Sequence, residues 1–176
     1  AILDAADKNG YAQGAFNVNA VCQVKAAVDV HQILRSPAII QGADLANGFM
    51  GGRTDFANST LEDKKAGAKN IGAAVKKYAA DSDIPVALHL DHGKNFDSCI
   101  AAIEGGYTSV MIDGSSLPFD ENVELTREVV KYAHERGVTV EGELGVLAGV
   151  EDHVFAATST YTNPLSAIHF FKKTGV

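Results

Sequence analysis

Short apolar runs alternate with longer helical patterns along this 176-residue chain, and the alternation limits the folds open to it. Such a pattern is typical of repeated strand-helix units around a parallel sheet. Five runs have the length of strands, and their apolar and β-branched content suits burial on both faces of a sheet. We predict strands at residues 15–19, 38–41, 85–90, 108–112 and 138–144.

The segments between the predicted strands carry helix signals. The longest connection, residues 42–84, begins with a stretch rich in Gly and Asn and contains a helix at about residues 61–79. Long connections after a strand often cover an active site. The last helix begins with Asn163 as its cap and Pro164 at its first position, and we expect it to end at Gly175.

Two architectures contain such units, the doubly wound sheet and the (β/α)8 barrel. No Gly-x-Gly-x-x-Gly follows the first strand and no Walker-type loop is present, so a nucleotide-binding doubly wound sheet is disfavoured. We therefore predict an α/β fold of the (β/α)8 (TIM) barrel class. Such a barrel takes about 250 residues. We expect residues 1–176 to be a single domain that supplies roughly the first five strand-helix units, with the remaining units beyond Val176.

Charge and cysteine content exclude several kinds of partner. The net charge of -7 and the pI near 5.3 argue against binding to a nucleic-acid backbone or an anionic membrane. Cys22 and Cys99 lie far apart, which suggests neither a disulfide framework nor a zinc ribbon. No signal core and no run of about 18 apolar residues is present. We predict a cytoplasmic protein that holds any anionic substrate in a local site.

Polar and acidic residues concentrate where four predicted strands end and their loops begin. Barrel enzymes build their active sites at this face. Carboxylates that converge there repel one another unless a cation or a shared proton relieves them. Because a histidine lies among them, a metal ion is the natural cation. These residues are Asn17, Asn19, Asp91, His92, Asp113 and Glu143.

The third and fifth strand ends allow more specific interpretations. An imidazole at His92 suits zinc, and the neighbouring Asp91 carboxylate can orient a hydroxyl or move a proton. The alternative is that this segment is a turn with an Asp-type helix cap. His89 is expected to be a hydrogen-bonded core histidine. Glu141 and Glu143 share one side of their strand, and two inward glutamates need a partner, which favours a functional role.

For two further segments, residue types alone do not separate a functional role from an ordinary turn. Glu151 and Asp152 follow the glycine-rich segment 145–149, which is either a mobile loop that carries a carboxylate over the site or a solvated turn. Asp113 with Gly114 also has the composition of a turn.

Four motifs in order and spacing resemble the class II fructose-1,6-bisphosphate aldolases, and the resemblance spans nearly the whole chain. It implies a zinc-dependent (β/α)8 enzyme of glycolysis and gluconeogenesis that forms a homodimer or homotetramer. Such an enzyme reversibly cleaves fructose 1,6-bisphosphate into dihydroxyacetone phosphate and glyceraldehyde 3-phosphate. The motifs are GAFNVN at 14–19, HLDHG at 89–93, SVMIDGS at 109–115, and EGELG at 141–145 with GVED at 149–152.

The resemblance implies a role for each metal ligand in this part of the chain. His92 matches a catalytic zinc ligand, and Asp113 and Glu143 match carboxylates of a second or alternative metal position. Zn²⁺ is the implied cofactor, while a second divalent ion and a monovalent cation both stay open. The family's other two zinc histidines and most phosphate-binding loops are expected beyond residue 176.

The resemblance also implies groups that handle protons and substrate. Asp91 matches the group that exchanges a proton with the C4 hydroxyl, Glu151 matches the loop glutamate that handles the proton on the dihydroxyacetone phosphate carbon, and Asn17 matches a residue near the substrate. Ala43 stands where the family often has a serine. Class II tagatose-1,6-bisphosphate aldolases share the same motifs and are one alternative. A non-catalytic binding or assembly module that keeps the barrel fold but has lost the other histidines is another.

Overall fold

The computed structural model describes residues 1–151 and 154–176, with the backbone alone at 150, 151 and 154–156. Five strands form one sheet in the order β1-β2-β3-β4-β5, and every neighbouring pair is parallel. In a doubly wound sheet the strand order reverses at a switch point, whereas here it follows the chain. The strands are Ala15–Asn17 (β1), Ala38–Ala43 (β2), Val86–Gly93 (β3), Ser109–Ile112 (β4) and Thr139–Gly142 (β5).

Helices connect these strands. The longest connection holds a helix at residues 61–79, as predicted, and its Thr60 cap and Asp63 form a capping box. The α-helices of the described residues are Ile2–Asn9 (α1), Val21–Leu34 (α2), Asp44–Met50 (α3), Leu61–Ala79 (α4), Phe96–Glu104 (α5), Phe119–His134 (α6) and Pro164–Thr174 (α7). None of them is long and apolar enough to span a membrane.

Helix α3 was not predicted, because its Asn and Gly content resembles a loop. Close packing on α4 compensates for this weak local preference. A Cβ at Gly67 of α4 would lie 1.7 Å from the carbonyl oxygen of Asn47, so only glycine lets the two backbones approach so closely. The amide of Asn47 is buried and accepts a hydrogen bond from the Tyr107 hydroxyl at 2.8 Å. Tertiary contacts therefore stabilise a helix that local propensity does not indicate.

Strand boundaries differ from the predicted ones at several ends. β1 ends at Asn17 and β5 at Gly142, each two residues before the predicted end, while β2 and β3 extend to Ala43 and Gly93. Apolar pattern alone cannot locate these ends, because ladder pairing with the neighbouring strand decides them. The prediction of five strands also missed a short antiparallel hairpin, Gly149–Glu151 (β6) with Val154–Ala156 (β7).

The main core lies between the sheet and its helices. Apolar side chains from both layers are almost completely inaccessible to solvent, which accounts for the continuous apolar runs of the strands. The most deeply buried members are Ile40, Leu90, Val110 and Ile112 from the strands, and Val24, Ile71 and Val129 from the helices. This packing fixes the strands and thereby the loops at their carboxyl ends.

Candidate metal centre and active site

Five of the predicted site residues lie at the carboxyl ends of four parallel strands. Asn17 ends β1, and Asp91 and His92 lie near the end of β3. Asp113 follows β4, and Glu143 follows β5. Parallel strands present their carboxyl ends at one edge, so residues far apart in sequence are brought to the same place.

A β-bulge near the end of β3 directs its polar side chains. Leu90 pairs with Val110 and Gly93 pairs with Ile112, so β3 has one residue more than β4 between these pairs. His92 takes φ of 49°, a left-handed conformation that is uncommon outside glycine. Since a bulge interrupts the period-two alternation, Asp91 and His92 line the same cavity although they are adjacent in sequence.

The side chains of His92, Asp113 and Glu143 form a compact ligand group. Nδ1 of His92 lies 3.0 Å from Oδ2 of Asp113 and 3.8 Å from Oε2 of Glu143. One nitrogen or oxygen atom from each residue lies within 4.8 Å of the others. One imidazole and two carboxylates are a donor set that suits a divalent transition metal. The donor set therefore fits the predicted metal centre.

Without a metal, the same group forms an ion pair. Its hydrogen bond to Asp113 raises the pKa of His92 to about 9, although burial opposes the charge. Burial would raise the pKa of Asp113, but hydrogen bonds from His92 and Ser115 outweigh it and hold that pKa at about 2. At neutral pH the imidazole is therefore protonated and the carboxylate ionised. A cation that binds His92 must displace this proton.

The ion pair gives the metal-free protein a pH-dependent stability. The pKa of His92 is raised above 6.5 in the folded protein. The stability that this ion pair contributes is therefore complete below about pH 6.5 and is lost as the pH rises through about 9. We expect the free energy of unfolding, measured with urea on the metal-free full-length protein, to fall over this interval. Relative to Asp113→Asn, the extra loss should be on the order of 1–2 kcal/mol after solvent screening. A difference between the two proteins that stays constant with pH would contradict the ion pair.

Asp91 has a defined partner across the sheet. Nδ2 of Asn17 donates a hydrogen bond to Oδ2 of Asp91 at 2.9 Å, and the two residues are 74 positions apart in sequence. Asp91 lines a cavity of about 400 Å³ together with His92, Glu141 and Glu143. The carboxylate is therefore oriented beside the ligand group, with room for a small substrate.

His89 lies one layer deeper and is a core histidine, as expected. Its Nδ1 is 2.8 Å from the hydroxyl oxygen of Ser109, and its side chain is almost fully buried. Burial lowers the pKa of His89, although Glu141, whose carboxylate lies 3.6 Å from Nε2, opposes this shift. Glu141 and Glu143 both line the cavity, in agreement with their predicted common side.

The two segments that flank the β6–β7 hairpin pair with each other beside the cavity. Val146 and Thr160 exchange backbone hydrogen bonds of 3.0 and 2.7 Å. Gly145 has φ of 85°, and a Cβ there would lie 2.2 Å from the carbonyl oxygen of Thr160, so this position requires glycine. The hydroxyl of Thr162 donates to the carbonyl oxygen of Leu144 at 2.6 Å.

The predicted loop glutamate lies in this hairpin. The backbone of Glu151 ends β6, while its side chain and the whole of Asp152 are outside the described residues. Thr160, Tyr161 and Thr162 line the cavity and were not predicted as site residues. Their only signal is a polar run before the cap of α7, which resembles an ordinary loop.

The whole chain is similar to known aldolases. The family described as fructose-bisphosphate aldolase class-II matches residues 1–176. The chain is 48% identical over 173 residues to the fructose-bisphosphate aldolase of Treponema pallidum (strain Nichols), a match that covers 96% of this chain and 48% of the relative. It is 40% identical over 177 residues to the fructose-bisphosphate aldolase of Geobacillus stearothermophilus, with coverage of 99% and 56%.

Solved structures agree with these sequence matches. The crystal structure of fructose-bisphosphate aldolase from Campylobacter jejuni superposes with a TM-score of 0.78 at 26% identity, covering 99% of this chain and 52% of that chain. The chain thus spans about half the length of the curated relatives it matches. Together with five parallel strands in chain order, the match confirms the prediction of five units of a (β/α)8 barrel. The chain belongs to the class II fructose-bisphosphate aldolase family.

Proposed function

We propose that this chain is the N-terminal part of a zinc-dependent aldolase that reversibly cleaves fructose 1,6-bisphosphate into dihydroxyacetone phosphate and glyceraldehyde 3-phosphate. The observation that carries the proposal is the convergence of His92, Asp113 and Glu143 beside Asp91, in a member of this family. In the described sheet, β1 and β5 each pair with a neighbour on one side. Further units that close the barrel would cover these two edges.

His92 would hold the zinc ion together with the two histidines expected beyond residue 176, and Asp113 and Glu143 lie close enough to contribute to the same metal centre. His92 binds the ion as the neutral imidazole, so its proton leaves before or during binding, while Asp113 is already ionised at neutral pH. When bound, Zn²⁺ supplies positive charge that stabilises the electron pair left on the dihydroxyacetone phosphate half after carbon-carbon cleavage. Glu143 and Asp113 also fit a second or alternative metal position.

Two carboxylates would move the protons. As the bond between C3 and C4 breaks, Asp91 takes the proton of the C4 hydroxyl, and that oxygen becomes the aldehyde oxygen of glyceraldehyde 3-phosphate. The electron pair of the broken bond stays on C3, and Glu151 supplies the proton that this carbon receives. Asn17 fixes one oxygen of the Asp91 carboxylate and so keeps the group aligned with the hydroxyl.

Replacing Asn17 tests this alignment. In the full-length protein, Asn17→Ala should lower kcat for fructose 1,6-bisphosphate about tenfold, the value of one oriented hydrogen bond of about 1.4 kcal/mol. Steady-state kinetics measures the effect. Asn58→Ala is the matched control, because Asn58 makes the same kind of exposed hydrogen bond to Asp55 at 3.0 Å. Equal kcat values in the two variants would contradict the role of Asn17.

Substrate choice requires a direct comparison. A tagatose-1,6-bisphosphate aldolase would use the same groups, because the two substrates differ in stereochemistry at one carbon. Parallel cleavage assays of the full-length protein with both bisphosphates separate them, and we expect the higher kcat/KM with fructose 1,6-bisphosphate. A preference for the tagatose substrate would overturn this assignment, and cleavage of neither would favour a non-catalytic module. A cytoplasmic homodimer or homotetramer stays a prediction from the family.

A further inference from the structure

Asn122 is a buried polar residue outside the predicted site. It lies in the first turn of α6 with 1% of its surface exposed. A buried amide is costly unless its donors and acceptor are paired. Its Nδ2 donates to the backbone carbonyl oxygen of Glu143 at 2.7 Å, and its Oδ1 accepts from the hydroxyl of Thr126 at 3.1 Å. The helix thus reaches the backbone of a candidate metal ligand through this amide.

The same amide also packs against Gly114, in the segment that follows β4. A Cβ at Gly114 would lie 2.3 Å from Oδ1 and 2.7 Å from Cγ of Asn122, so glycine there lets the chain pass directly over the amide. Gly114 immediately follows Asp113, whose carboxylate belongs to the ligand group. One side chain therefore touches the backbone after β4 and the backbone after β5.

The contact from Asn122 reaches Glu143 just beyond the paired part of β5. The last pair between β4 and β5 joins Ile112 and Gly142, so the ladder ends one residue before Glu143. The backbone position of that residue determines where its carboxylate lies relative to His92 and Asp113. A displacement of about 1 Å is enough to weaken a site that depends on exact ligand placement.

We propose that Asn122 is a positioning residue that sets the spacing between Asp113 and Glu143 and thereby tunes metal affinity. The inference rests on the proposed metal centre, and Asn122 itself does not touch the ion. Groups that orient metal ligands typically change metal affinity by roughly 10- to 100-fold when they are replaced.

The test is calorimetric titration of the metal-free full-length protein with Zn²⁺. Asn122→Asp keeps the shape but replaces the donor to Glu143 with an oxygen, and Gly114→Ala displaces the same amide without replacing it. Each should raise the Kd by roughly 10- to 100-fold. Thr126→Val is the matched control, because it removes the other hydrogen bond of the amide and keeps the donor to Glu143. It should lower Tm and leave the Kd unchanged.

The variant Glu143→Gln distinguishes failure of the proposed role of Asn122 from failure of the proposed metal centre. If Glu143→Gln binds Zn²⁺ more weakly while folded Asn122→Asp or Gly114→Ala keeps the wild-type Kd, the role of Asn122 is overturned. The metal centre itself would then still stand. A Kd that rises in Thr126→Val as much as in Asn122→Asp would also overturn it, because general loss of packing would then explain both. Wild-type binding in Glu143→Gln would instead remove Glu143 from the metal centre and contradict the proposed ligand set.

Discussion

Asp91→Ala in the full-length protein is expected to lower kcat for fructose 1,6-bisphosphate cleavage by roughly 10²- to 10⁴-fold, the usual range for a general base. Asp91 lines the cavity next to the ligand group, and Asn17 orients its carboxylate. The variant lacks the carboxylate that we propose as the acceptor of the C4 hydroxyl proton when the carbon-carbon bond breaks. Steady-state kinetics gives kcat, and metal analysis of the same sample gives bound zinc, which should stay at the wild-type level.

The control for this variant is Asp55→Ala. Asp55 is an exposed carboxylate that accepts a hydrogen bond from an asparagine, as Asp91 does, but it lies in the connection before α4. It should keep wild-type kcat. Turnover of Asp91→Ala within a few-fold of wild type, with zinc bound, would refute the proton-transfer role. Loss of zinc together with turnover would instead place Asp91 among the metal ligands.

His92→Asn is expected to weaken zinc binding to the full-length protein by more than about 100-fold, beyond the range seen for residues that only support a ligand. Asparagine is the informative replacement because His92 has φ of 49°, and asparagine tolerates the left-handed region better than alanine. The local backbone is then preserved while the imidazole is lost. Competition with a zinc-binding dye measures the change in Kd.

His134→Asn is the control for histidine replacement. His134 lies on the exposed face of α6 and should be replaceable without effect on zinc. If His92→Asn keeps wild-type zinc affinity, the ligand group around Asp113 and Glu143 is not a metal centre. The same variant also loses the ion pair with Asp113, so its stability should become less dependent on pH between 6.5 and 9.

The sequence predicts the central strands β2, β3 and β4 well because their side chains are buried or half-buried on both faces of the sheet. Continuous apolar runs such as the one around Val110 have no competing interpretation once helical patterns flank them. Prediction fails where tertiary contact decides the local structure. Helix α3 depends on the close approach of its backbone to Gly67, and the end of β5 depends on pairing with β4. Neither contact has a local signature in the chain.

The candidate site, like the fold, is predicted only where tertiary contacts do not decide the geometry. Parallel topology alone predicts that Asn17, Asp113 and Glu143 meet at one edge of the sheet. Their distances do not follow from topology, because the bulge in β3 and the amide of Asn122 set them. In the sequence, nothing distinguishes Asn122 from other polar residues of a helix. Its role depends on a carbonyl group 21 positions away, which pattern analysis cannot locate.

Metal removal from the full-length protein tests the central claim most directly. Cleavage of fructose 1,6-bisphosphate is measured before chelation, after chelation, and after Zn²⁺ is restored to the chelated protein. We predict that cleavage is lost on chelation and returns with Zn²⁺, because His92, Asp113 and Glu143 form a ligand group beside Asp91. Cleavage that persists at the original rate in protein shown to be free of metal would contradict a zinc-dependent aldolase.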